Sequence, residues 1–227
     1  MSAIQWTKVI EDLRNEDDVE LMLEAGDLIA AEADEDDLPR LYSLLEDEDF
    51  FVRETVAEPL ARLGGIKALP VLFHAMTRGT ADGHDNDSLS FIIVELLEQE
   101  KKAVAPILLE MIESPKSKTR ESAAWAFGFV APEIPSSPLI RALRDEDAGV
   151  RAAAVGSLPS FKDDVHVFEA LIIALSDDDE QVRISSISAL GYLGDKHAIP
   201  NLQKFKKGFF SRTKHLAEEA LQQLGAS

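Results

Sequence analysis

The chain of 227 residues predicts an all-α fold, an α-solenoid of about six helix-pair repeats. Three observations carry that prediction. A phrase of acidic turn followed by helix recurs along the chain, a second phrase of short apolar helix precedes each copy, and the clearest copies lie 31 and 32 residues apart.

The first phrase is plainest from Ser176 to Gly194, SDDDEQVRISSISALGYLG. Asp177, Asp178 and Asp179 stand where side-chain oxygens cap the first free N–H groups of a helix and favour the positive end of its dipole. Val182, Ser186, Ala189, Leu190 and Leu193 then share one helical face with small residues in its middle, and Gly194 stops the helix. Near-copies run from Asp47 to Gly64, Ser117 to Val130 and Asp145 to Leu158, with degenerate ones at Leu89 to Gln99 and Thr213 to Leu224. Aligned on Arg53, Arg120, Arg151 and Arg183, the spacings are 67, 31 and 32 residues, the first being two periods.

Taken in order, residues 1–36 lack the repeat but show helical segments at Ile4 to Leu13 and Val19 to Ala33. They read as an N-terminal helical cap, with Trp6 in its core and Glu11, Asp12, Glu16, Asp17 and Asp18 on its polar side. The run Glu32 to Asp37 reads as a turn and N-cap. Residues 37–227 form the repeat array, the whole being one solenoid domain. Its first helices open at Leu38-Pro39, Leu69-Pro70, Val104-Ala105-Pro106, Ser137-Pro138, Val167 and Ile199-Pro200, proline suiting a first turn whose N–H has no helical partner. Arg78 to Asp87, RGTADGHDND, reads as an inserted, solvated loop at the inter-helix rim. Its Asp82, His84, Asp85 and Asp87 lack the spacing of a calcium loop.

The D-x-x-x-R step at Asp49 to Arg53, Asp147 to Arg151 and Asp179 to Arg183, followed by A-x-x-A-L-G, resembles the HEAT repeat family over roughly Leu38 to Gly225. The short period is similar to that of the HEAT-like repeats of phycobilisome lyases and many bacterial proteins. The resemblance implies a right-handed superhelix whose concave face is lined by the second helices. It also implies a structural ladder, Arg53, Arg120, Arg151 and Arg183 with Asp49, Asp147 and Asp179, stitching neighbouring repeats together.

Opposite the packed face of each second helix runs a stripe at four-residue spacing. It comprises Glu54, Glu58 and Arg62; Phe91, Glu95 and Gln99; Glu121, Trp125 and Phe129; Ala152, Gly156 and Ser160; Ile184, Ser188 and Tyr192; and His215, Glu219 and Gln223. Carboxylates dominate its N-terminal half. Trp125 and Phe129 lie beside the small residues Ala152, Gly156 and Ser160, and either pack between helices or anchor a partner. The candidate partner-binding residues are therefore Glu54, Glu58, Phe91, Glu95, Glu121, Trp125, Phe129, Ile184 and Tyr192.

Composition narrows the function. There are 42 acidic and 23 basic residues, a net charge of −19, which repels phosphate backbones and favours basic partners over nucleic acid. No cysteine is present, which removes disulfides and thiolate sites and suits a reducing compartment. No apolar run is long enough to span a membrane and the N-terminus lacks a signal-peptide pattern, so a cytoplasmic location is expected. No nucleophile elbow, phosphate loop or metal-protease motif occurs, and five scattered histidines have no ligand spacing, so neither catalytic residues, metal nor cofactor are expected. HEAT-like deoxyhypusine hydroxylase uses His-Glu pairs, absent here, and a HEAT-like DNA glycosylase uses a basic groove, the opposite of this charge.

The reading is a non-enzymatic protein-binding module whose acidic concave surface captures a basic protein, as an adaptor, a chaperone or an immunity protein masking a toxin. A bilin lyase or phycobilisome assembly factor and a scaffold with no dedicated ligand stand as alternatives. Oligomeric state is left open.

Overall fold

The computed structural model describes residues 4–15, 17–83, 86–206 and 212–226, and every regular element among them is helical. The chain divides into two compact units, residues 1–100 and 101–227, a boundary that the sequence does not mark. Each unit is a series of helix pairs.

The first unit opens with α1 (Trp6–Leu13) and α2 (Val19–Glu32), which pack together. Trp6, Val9 and Leu13 form the buried face of α1. The Trp6 indole N–H donates to Asp37 Oδ1 at 2.9 Å, while the Asp34 N–H donates to Asp37 Oδ2 at 3.2 Å. Asp37, only 4 % exposed, is thereby satisfied inside the fold. The acidic run thus closes a buried polar contact as well as making a turn.

Two more pairs follow, α3 (Leu38–Leu44) with α4 (Phe50–Gly64) and α5 (Leu69–Asp82) with α6 (Asp87–Gln99). Helices α2, α4 and α6 are neighbours in sequence of contact, α2 against α4 and α4 against α6. Pro39 and Pro70 fill first turns as expected. The expected loop from Arg78 to Asp87 is instead helical through Asp82, where Gly83 ends α5 in a left-handed conformation. Thr77 and Thr80 direct their hydroxyls back to the Phe73 and Met76 carbonyls, and Arg78 donates to the Glu46 carbonyl at 3.0 Å. The two threonine bonds stay within the helix and the arginine bond reaches the turn after α3, so polar side chains are satisfied while the backbone remains helical and the polar composition mimics a loop. His84 and Asp85 lie outside the described residues, and no cluster of metal-ligating side chains occurs among those described.

The second unit contains α7 (Lys101–Met111) with α8 (Ser117–Val130), α9 (Ser137–Ala142) with α10 (Ala148–Ser157), α11 (Val165–Ala174) with α12 (Glu180–Leu193), and α13 (Ile199–Leu202) with α14 (Arg212–Gln223). Helix α7 begins three residues before the expected Val104, which places Pro106 inside it. The second helices pack in succession, α8 against α10, α10 against α12 and α12 against α14. Small residues allow this close approach. A Cβ on Gly191 would stand 3.1 Å from the Ala220 Cα on α14, so the backbones meet where glycine leaves room.

Candidate functional site

The acidic turns before the second helices have two distinct jobs. Asp49, Asp147 and Asp179 are N-caps, accepting N–H bonds at 2.8 Å from Phe51, Gly149 and Gln181 respectively. The acids that bridge repeats stand two residues earlier. Arg120 donates through Nε and Nη2 to Asp145 at 2.7 and 2.8 Å, and Arg151 does the same to Asp177 at 2.9 and 2.8 Å. These are planar two-point pairs that fix orientation as well as distance. The ladder acids are therefore Asp145 and Asp177, with Asp147 and Asp179 shaping the turn beside them.

Each bridging arginine also holds its own turn. Arg120 donates to the Ser114 carbonyl at 2.9 Å, and Arg151 to the Asp145 carbonyl at 2.9 Å. Arg53 and Arg183 make the same local bonds, to the Asp47 and Asp177 carbonyls, each at 2.8 Å. In the first unit the acid equivalent to Asp145, Asp47, is taken by Arg14 at 2.6 Å. Arg14 sits at the end of α1, off the repeat register, which is why alignment on the ladder arginines misses it.

Arg120 holds the Asp145 carboxyl below the usual carboxylate range, against the opposing effect of burial. Arg151 does the same for Asp177. For Asp147 burial pushes the other way, but the Ser117 hydroxyl and the Val150 and Gly149 N–H groups prevail and the net direction is down.

Counting from each N-cap gives the stripe a common register. The fifth residue is Leu23 in α2, Glu54 in α4 and Phe91 in α6, and the ninth is Asp27, Glu58 and Glu95. All three ninth residues are exposed acids on helices that pack side by side. Phe91 and Leu23 are 71 % and 65 % exposed. Arg62 donates to the Ala30 and Ala33 carbonyls at the end of α2 and also stands 3.8 Å from the Glu58 carboxylate, so one acid of the row has a cation beside it on its own helix while Asp27 and Glu95 do not share it. Asp27 and Leu23 extend the stripe into the segment that the sequence assigns to the cap. Their signal is the distance from Asp18, legible only once Asp18 is known to cap α2.

In the second unit the fifth and ninth residues are Glu121 and Trp125 in α8, Ala152 and Gly156 in α10, and Ile184 and Ser188 in α12. Ile184 is 6 % exposed, which removes it from the surface stripe. Helix α12 packs against α10, α11 and α14, and its buried arc includes Ile184 together with Val182, Ser186 and Ile187, wider than a single stripe rule allows. Tyr192, further along the same face, is 77 % exposed. Glu121 is half-buried and paired with Lys118 at 2.7 Å, leaning over the first turn of α10 near Gly149.

Trp125 and Phe129 stand side by side with ring centroids 4.8 Å apart. With Gly128, Ala152, Gly156 and Ser160 they line a shallow cavity of about 350 Å³. Its walls are the aromatic pair of α8 and its floor is α10, held in place by the Ser157 hydroxyl donating to the Trp125 carbonyl at 3.1 Å. Trp125 therefore packs along one face and leaves another open to a cavity.

Charge separates the units sharply. Residues 1–100 hold 25 acidic and 7 basic residues, a net −18, whereas residues 101–227 hold 17 and 16, a net −1. The acidic row and the aromatic cavity thus belong to different units.

A sequence model of HEAT repeats matches residues 7–84 and 136–222. The chain belongs to the HEAT repeat family. The HEAT match begins inside α1, so it takes in most of the helix pair read from sequence as a cap. It is a match to HEAT repeats as a class and does not single out the phycobilisome-lyase-type branch. Among solved structures, the HEAT chain aligns over 96 % of its length with 35 % of a chain in the Kap95p–RanGDP complex, at TM-score 0.65 and 15 % identity. It aligns over 99 % with 93 % of YibA from E. coli, at 0.46 and 17 %, and over 97 % with all of a designed armadillo repeat protein bound to a (KR)4 peptide, at 0.48 and 15 %. The similarity to the chain of the Kap95p–RanGDP complex shows the helical-repeat fold alone. No curated protein matches the HEAT chain. None of its described helices is long and apolar enough to cross a membrane.

Proposed function

We propose that this HEAT repeat protein is a non-enzymatic binding module whose first unit captures a basic protein, in the manner of an adaptor, a chaperone or an immunity protein covering a cationic active site. The observation that carries the reading is the row Asp27, Glu58 and Glu95, one exposed acid at the same register of three adjoining helices. Packed helices stand about 8–10 Å apart, so the row spaces its charges at roughly three residues of extended chain. A surface with regularly placed lysines or arginines meets it without strain. Phe91 beside the row supplies an apolar contact, since charge alone gives fast encounter and selectivity more than tight binding. In the second unit, the Trp125 cavity is a further contact for an apolar side chain of the same or another partner.

The test uses the full chain and a fluorescent peptide of alternating lysine and serine. Wild type binds with an affinity that falls steeply with salt, and Asp27→Lys with Glu58→Lys and Glu95→Lys weakens binding at least about tenfold and flattens the salt dependence. Equal affinity and equal salt slope in the triple variant remove the acidic row as the site.

A further inference from the structure

The first unit holds an apolar groove that the acidic row does not include. Leu13 of α1, Val19, Met22 and Leu23 of α2, and Phe51 and Thr55 of α4 line a cavity of about 420 Å³. Leu13 forms its floor at 2 % exposure, while Val19, Leu23 and Phe51 stand at the mouth, 64 %, 65 % and 51 % exposed. Three large apolar side chains around one opening are a costly arrangement in water unless something covers them. The groove arises because α1 ends at Leu13 and the N-terminal turns of α2 and α4 meet above it.

Its surroundings define what fits. Asp17, Asp18, Glu20 and Glu24 on the α2 side and Glu48 on the α4 side are exposed, and Glu54 is half-buried. The cations nearest in sequence are already engaged, Arg14 with Asp47 and Arg53 with the Asp47 and Glu48 carbonyls. An apolar opening whose lining residues Val19, Leu23 and Thr55 are flanked in the chain by Asp18, Glu20, Glu24 and Glu54, within a unit of net charge −18, selects a ligand with the reverse pattern. We propose that this groove receives an amphipathic segment of a partner protein, an aliphatic or aromatic anchor flanked by lysine or arginine. The proposal rests on the reading of the first unit as a binder of basic partners, and adds that recognition there needs an apolar anchor.

Two helix-forming peptides of equal charge separate the two claims, one of leucine and lysine with a single apolar face, the other with serine in place of every leucine. The full chain is expected to prefer the leucine peptide by roughly 10- to 100-fold, as burying one or two anchor side chains implies. Leu23→Ser with Phe51→Ser, both at exposed positions, should abolish that preference while Gly156→Leu, which fills the other cavity, should not. If both peptides bind equally, or the double variant keeps the preference, the groove proposal falls while capture of basic partners stands. If neither peptide binds, both fall. A wild-type chain that sediments as a dimer and becomes monomeric in the double variant would assign the groove to a second copy and overturn the proposal.

Discussion

Arg151 closes on Asp177 through two parallel N–H···O bonds of 2.9 and 2.8 Å, and the same carboxylate accepts the Asp179 N–H at 2.9 Å. One aspartate thus joins the helix that begins at Ala148 to the turn that starts the next second helix. Both side chains are mostly buried, 16 % and 13 % exposed. The pair is a positional clamp between repeats.

From this clamp follows a contrast between two neighbouring acids. Asp177→Ala removes a two-point charge pair and leaves a mostly buried guanidinium without its partner, costing about 2–3 kcal/mol. Asp179→Ala removes a helix cap alone and costs about 1 kcal/mol. Urea denaturation of the two variants measures both, and equal costs would show that the clamp contributes no more than a cap.

Acid should loosen the second unit. The folded-state pKa values of Asp145, Asp147 and Asp177 are lowered, so their contribution to stability is present above the unfolded value of about 3.9 and is lost as pH falls through the folded values. The first unit, at net −18, gains from the same protonation by losing self-repulsion. Trp6 and Trp125 report one unit each, so Trp6→Phe and Trp125→Phe variants followed by fluorescence distinguish the two. A drop in thermal stability as pH falls below about 4 is expected for the Trp125 signal, and Asp145→Asn with Asp177→Asn should flatten it.

Two glycines on second helices should respond in opposite directions. A Cβ on Gly156 meets no atom within 4 Å, so Gly156→Ala stabilises by about 0.5–1 kcal/mol through helix propensity and lower unfolded-state freedom. A Cβ on Gly191 meets the Ala220 backbone at 3.1 Å, so Gly191→Ala forces α12 and α14 apart and costs about 1–3 kcal/mol. Thermal melts of both variants check the signs.

The aromatic cavity can be closed without harming the fold. Gly156→Leu projects into the space beneath Trp125 and Phe129. Small apolar fluorophores that report on such cavities should lose binding to this variant by about tenfold, with helicity by circular dichroism unchanged.

The periodic sequence made the helix pairs legible because each repeat buries the same face in the same way, so one set of spacings describes most of the array. The stripe of second-helix residues was legible for the same reason, from Glu54 through Phe129. Ile184 broke the rule, being buried at a position that the stripe places on the surface. The segment Arg78 to Asp82 broke another, since its backbone stays helical while the Thr80 hydroxyl bonds back to the Met76 carbonyl and Arg78 reaches the Glu46 carbonyl.

By itself the sequence determined the helical repeat, its caps and the total charge, all of which depend on neighbours along the chain or on composition. Only the tertiary structure decided that Asp145 and Asp177, and not the caps beside them, bridge the repeats. It alone brought Leu13, Leu23 and Phe51 around one opening and set the boundary after residue 100 that leaves nearly all the net charge in one compact unit. Those outcomes depend on which side chains face one another across helices, and residues 25 to 38 positions apart become neighbours through packing that no local spacing specifies.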